Sequence, residues 1–81
     1  MPTVLRLHGL RFVIWPNDHE PPHVHVFSGD GAAKIAISAD GECLLRVDGL
    51  SRRQVARALA EVLAHQTHLL NEWERIHGSA D

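Results

Sequence analysis

Apolar residues recur along this chain with two different periods, and the switch falls near residue 50. Before it they come in short runs broken by turn formers. Thr3 to Leu7 and Leu10 to Trp15 are rich in branched and aromatic residues and flank His8-Gly9, which reads as two strands joined by a tight turn. Pro16 to Pro22 is a loop by composition. His23 to Phe27 and Ala32 to Ile37 alternate polar and apolar on either side of Ser28-Gly29-Asp30-Gly31. After a second turn, Ser38-Ala39-Asp40-Gly41, the segment Glu42 to Val47 is a fifth strand. Connections this short admit only antiparallel neighbours, because a parallel pair needs a long crossover.

Beyond residue 50 the period becomes helical. Ser51 and Gln54 are spaced as a capping box, and Gly78 is a natural stop. Between them Val55, Leu59, Val62, Leu63, Leu69, Leu70 and Trp73 form one apolar stripe that should face the sheet. At about 1.5 Å per residue the helix is some 40 Å long, longer than a short strand. It must either bend near Ala64 to Gln66 or overhang, leaving its C-terminal half available to a partner subunit. The expectation is a single α+β domain over residues 1–81: a mostly antiparallel sheet of about five strands (3–47), with one long C-terminal helix (51–77) packed on one face.

Alternation also assigns the two faces of the sheet. Leu5, Leu7, Leu10, Phe12, Ile14, Val24, Val26, Ile35, Ile37, Leu45 and Val47 should lie under the helix. The other face should carry Val4, Arg6, Arg11, Val13, Trp15, His23, His25, Phe27, Lys34, Ala36, Leu44 and Arg46, with almost no carboxylate. Such a face can hold phosphates by charge and bases by stacking, through Arg6, Arg11, Trp15, Phe27, Lys34 and Arg46. Solvated cations and a protein contact through the apolar members are the plainer alternative.

Composition narrows the setting. With 81 residues the core is near the lower size limit, so a metal, a ligand or a second subunit, most simply in a homodimer, is expected to add stability. A hydrophobic content of 44% and a net charge of -2 exclude a disordered chain, and no apolar run is long enough to span a bilayer. The start of the chain lacks a basic segment followed by an apolar run, and the lone Cys43 cannot form an internal disulfide, which points to the cytoplasm. Cys43 itself should pack as a small apolar residue. The near-neutral balance gives no global attraction to polyanions, so RNA or DNA binding would need a local patch.

The conspicuous count is seven histidines, and the densest chemistry is Asn17-Asp18-His19-Glu20-Pro21-Pro22-His23-Val24-His25. His23 and His25 lie two apart on a strand, about 6.6 Å along the backbone, and so point the same way. Pro21 and Pro22 stiffen the loop carrying Asp18 and His19. His19, His23 and His25 therefore form a candidate nitrogen set for a divalent metal, zinc or similar, with Asp18 as ligand or orienting acceptor. A metal-free alternative makes His19 or His23 the general acid or base, Asp18 its orienting partner, and Arg6, Arg11 or Arg46 the stabiliser of a phosphoryl transition state. Structural imidazoles bonded to loop carbonyls are the third reading.

The stretch Asn17 to His25 resembles the N-D-H-x-P-P-H-x-H mark of domain-of-unknown-function family 4160, small bacterial and archaeal proteins. The opening Met1-Pro2-Thr3, the Gly9 turn, Gly29-Asp30 before Lys34, and Trp73-Glu74 with Gly78 are similar too. The resemblance implies no assigned activity. It implies a component of a toxin-antitoxin-like gene pair, with a small cognate protein encoded nearby and an RNA- or DNA-directed role for the pair. The expected function is a cytoplasmic module that binds nucleic acid or a partner protein through its histidine-rich open face. The alternative is a small RNA-directed hydrolase, metal-dependent or metal-free.

Three features weigh less. Glu61, His65, His68 and Glu72 share a helical face and should be in water, since one helix cannot close a coordination sphere. Arg52, Arg53 and Arg57 oppose the helix dipole, which solvation, Asp48 or a phosphate would offset. Trp15-Pro16 is a bond at which a cis peptide costs little.

Overall fold

In the computed structural model, which describes residues 3–37 and 44–78, the strands pair in chain order. They are β1 (Thr3–Leu7), β2 (Leu10–Val13), β3 (His23–Ser28), β4 (Gly31–Ala36) and β5 (Leu44–Asp48), and every pair is antiparallel. The expected turn at 38–41, together with Glu42 and Cys43, lies outside the described residues. His8 and Gly9 both take positive φ, 54° and 75°, in the two-residue hairpin between β1 and β2. At the other side of the sheet Gly31 is required by space. A Cβ there would lie 2.6 Å from the Gly49 carbonyl oxygen and from Leu50, so β4 approaches the end of β5 as only glycine permits.

The C-terminal helix begins as the sequence predicts. The Ser51 hydroxyl accepts from the Gln54 N–H at 3.1 Å, and Gln54 Oε1 accepts from the Ser51 N–H at 2.8 Å. Two segments follow, α1 (Arg52–Ala64) and α2 (Gln66–His77), interrupted at His65 with φ -113° and ψ 26°. The backbone ladder continues through the interruption, since His65 N–H donates to Glu61 and Leu69 N–H donates to His65. It is thus one helix broken where its length required a bend, and it ends at Gly78, φ 73°.

The helix packs on the sheet through Ala58, Val62, Leu69 and Trp73, against Leu10, Phe12, Ile14, Val24, Val26, Ile35 and Ile37. The buried line is turned from the predicted one: Ala58 is fully buried, whereas Leu63 is 64% exposed. The turn brings the Glu61 to Glu72 face toward β1 instead of open water. Glu61 meets His8 at 3.3 Å, and His68 donates to the Val4 carbonyl at 2.9 Å.

Two bulges correct the face assignment. A register shift between Thr3 and Leu5 displaces Val4, which packs on the core. A second shift opposes Lys34 to Arg46 but Ile35 to Leu44, so Leu45 is the extra residue. Leu44 consequently packs on the core and Leu45 is exposed, the reverse of strict alternation. Val47 keeps its helix-side position opposite Ala33, yet remains 44% exposed in an open groove between β5 and α1. At the opposite corner Val13, His23 and Ala36 are buried although they belong to the face away from α1. The loop between β2 and β3 returns over that corner, as its contacts show.

Candidate metal centre

The β2–β3 loop is held by bonds at both ends. Asp18 N–H donates to the Trp15 carbonyl at 3.1 Å, and Trp15 N–H donates back to Asp18 Oδ2 at 2.9 Å. Further on, Ile37 N–H donates to the Pro22 carbonyl at 3.0 Å, and Trp73 Nε1–H donates to Glu20 Oε2 at 3.3 Å. The cis peptide is Glu20-Pro21, not Trp15-Pro16. These bonds place the Asp18 carboxylate over the start of β3, with Oδ1 3.2 Å from His25 Nε2 and Oδ2 3.6 Å from His23 Nε2.

The three groups differ in enclosure. The side chain of His23 is 5% exposed, beneath the Trp73 ring at 5.3 Å, while His25 is 25% exposed and stacks toward Phe27. Burial pushes the Asp18 pKa up, but the Trp15 N–H, the His25 hydrogen bond and the charges of His25 and His23 outweigh it, leaving the carboxyl below its ordinary value. Asp18 is therefore an anion at neutral pH.

The tautomer of His23 follows from its other contact. Its Nδ1 lies 2.9 Å from the Pro21 carbonyl oxygen, which can only accept, so Nδ1 carries the proton. In the neutral ring Nε2 is then a bare lone pair directed at a carboxylate oxygen. Ligating histidines are oriented in this way, with the second nitrogen fixed by a backbone carbonyl.

Among the described residues, Asp18, His23 and His25 offer ligand atoms all within 4.8 Å of one another. His19 does not join them. It is exposed, because the turn closes on Asp18 and the next residue projects elsewhere. The candidate donor set is thus two imidazoles and a carboxylate, where three imidazoles with Asp18 as ligand or orienting acceptor were expected. Trp73 and the Pro21 carbonyl were not read as parts of the site. Trp73 carried only a core signal, and a main-chain oxygen leaves no trace in sequence.

The face continuing from His25 is basic. Arg6 lies opposite Arg11, which lies opposite Phe27, and Lys34 lies opposite Arg46. These are two like-charge cross-strand pairs, each unfavourable by about 0.2–1 kcal/mol unless an anion lies between them. The Arg11 guanidinium stands 5.4 Å from the Phe27 ring centre. A shallow cavity beside His25 is lined by Lys34, Arg46 and Asp48. Trp15 lies beyond the end of β2 and is exposed.

A family model described as Domain of unknown function (DUF4160) matches residues 9–74, which include Asp18, His23, His25 and Trp73 but not Arg6. No curated protein and no solved structure matches the chain. No helix of the structure is long and apolar enough to cross a membrane.

Proposed function

The chain belongs to the family Domain of unknown function (DUF4160), and from the geometry of its site we propose that it binds one divalent transition-metal ion between Asp18, His23 and His25. Zinc, or a similar ion that favours imidazole, suits this donor set. The observation that carries the proposal is the convergence of three donor groups: Asp18, His23 and His25 each offer a ligand atom, all within 4.8 Å of one another, with His23 Nε2 3.6 Å from Asp18 Oδ2 and the His23 side chain almost fully buried. Ligand atoms around a tetrahedral zinc stand roughly 3.3 Å apart when each bond is about 2.0–2.1 Å, so small side-chain adjustments would close the set around one ion.

The ion would lie where His25 opens onto the basic face, and we assign that face to the phosphates of nucleic acid, RNA or DNA. Arg6, Arg11, Lys34 and Arg46 supply charge and Phe27 a stacking surface, in an arrangement whose like-charge pairs favour an anion. When bound, the metal supplies a Lewis acid or an activated water next to that phosphate, the chemistry of a hydrolase. A metal-free hydrolase is the second reading, favoured by the 3.2 Å contact of His25 with Asp18, which would hold the ring as a general base. Pairing with a cognate protein in a toxin-antitoxin-like system is proposed on the family resemblance alone.

The test uses tag-free protein stripped with a chelator and titrated with zinc against a chromogenic competitor. One ion per chain is expected, with Asp18→Asn and His25→Ala each weakening binding by at least about tenfold while the fold persists by circular dichroism. Sub-stoichiometric binding, or variants that bind as well as the parent, would overturn the metal reading. Cleavage of single-stranded RNA that survives chelation but not His25→Ala would select the metal-free one. RNA affinity should fall with salt at a log–log slope of about -0.7 per phosphate contacted, and less steeply in Arg6→Ala or Arg11→Ala.

A further inference from the structure

Of the two edges of the sheet, β5 is the one that carries exposed apolar side chains among the described residues. Between β5 and α1 runs a groove lined by Leu44, Val47, Leu50, Val55 and Leu59. Leu45 is 45% exposed, and Leu63, one turn beyond Leu59 on α1, also faces water. An edge strand offers a row of unpaired N–H and C=O groups, a template for another strand.

The sequence of that edge is self-complementary. It reads Leu44-Leu45-Arg46-Val47-Asp48-Gly49-Leu50. Antiparallel pairing of two copies about a two-fold axis at Val47 sets Arg46 of each opposite Asp48 of the other and Val47 opposite Val47. Centring the pair on Arg46 instead would oppose two arginines, and centring it on Asp48 would oppose two aspartates. Charges on an exposed edge ordinarily deter pairing. Here their alternation in sign favours one register over its neighbours.

The faces agree with that register. Arg46 and Asp48 lie opposite Lys34 and Ala32, on the side away from the helix, whereas Val47 lies opposite Ala33 on the helix side. One two-fold axis therefore forms both charge pairs on the open face and brings the two apolar grooves together beneath the two α1 helices. Among the described residues Arg46 and Asp48 of the single chain pair with each other, at 3.5 Å and about three-quarters exposed. We propose that β5 is the interface of a two-fold homodimer, pairing antiparallel with β5 of a second copy about Val47 and joining two five-stranded sheets into one.

The experiment is sedimentation velocity of the full, tag-free chain from micromolar to submillimolar concentration, with circular dichroism melts as the folding control. The parent protein should sediment as a dimer. Asp48→Arg replaces two attractive pairs with two repulsive ones and should weaken dimerisation by about tenfold or more. The double variant Arg46→Asp with Asp48→Arg restores both pairs and should recover the dimer. Both side chains are exposed, so the fold should tolerate the changes. A parent protein monomeric throughout, a dimer indifferent to Asp48→Arg, or a charge swap that fails to rescue would each overturn the proposal. Metal binding at Asp18 is read separately, so neither result decides the other.

Discussion

Two corners of one small sheet depart from the usual partition of side chains in opposite directions. Where the β2–β3 loop folds over the start of β3, an aspartate and a histidine are largely buried, the histidine against Trp73. Along β5, leucine and valine side chains stand in water. Burying polar groups costs free energy unless they are satisfied, and exposing apolar ones forfeits the main stabilising term of folding. Each corner is stable in isolation only to the extent that something else completes it. The complement proposed for each differs in kind, a cation at the polar corner and a second strand at the apolar one.

The largest expected effect breaks the enclosed corner outright. Trp73→Ala removes a buried ring that packs on the core, covers His23 and holds Glu20. Urea unfolding should show a loss of about 3–5 kcal/mol, and a loss under 1 kcal/mol would mean that the lid is not structural. Next comes the ion itself. At zinc one hundred times above its dissociation constant, the parent protein should gain about 2.7 kcal/mol, and Asp18→Asn, binding at least about tenfold more weakly, no more than about 1.4 kcal/mol. Equal gains in both proteins would detach the stabilisation from the site.

At the open corner, Gly31→Ala drives a methyl group into the Gly49 carbonyl and should cost about 1–3 kcal/mol, seen as a lowered melting temperature. Leu63→Gln, by contrast, should change monomer stability by no more than about 0.5 kcal/mol, since the side chain buries little in the single chain. A large loss there would show that the β5 side is better covered than its exposure indicates. The smallest effect belongs to neither corner and calibrates both. The Arg75 guanidinium, hydrogen bonded to Glu72, holds the Glu72 carboxyl below its ordinary value despite a small opposing effect of burial. A lowered folded-state pKa contributes stability above the unfolded value of 4.5, and this is lost as pH falls through the folded value. The small difference in melting temperature between the parent and Glu72→Gln at pH 7 should therefore fade as pH falls below 4.5 and through the lowered folded-state value.

Much of this was legible beforehand. The five strands, their order and the capping box follow from periodicity and turn chemistry, because those signals are local and each strand meets the next through a short connection. His23 and His25 share a face for the same reason, the fixed alternation of a strand. Asp18 was attached to them by its place in the loop, but His19 was attached with equal reason. Only the Trp15–Asp18 turn separates the two, by presenting one side chain to β3 and the other to solvent.

What the sequence determined by itself is the α+β class, the antiparallel order, the helix limits and the residue types available for chemistry, all of which depend on neighbours within a few positions. The tertiary structure alone decided which of the predicted apolar residues are covered. The bulge at Leu45 exchanges the roles of Leu44 and Leu45, and the turn of the helix about its axis replaces Leu63 with Ala58. It also decided the His23 tautomer and the lid over it, through a carbonyl two residues away and a ring fifty residues away. The physical reason is the same throughout. Hydrogen-bond patterns along the chain set the period of a segment, whereas the rotation and register of packed elements are set by the fit of all their side chains at once.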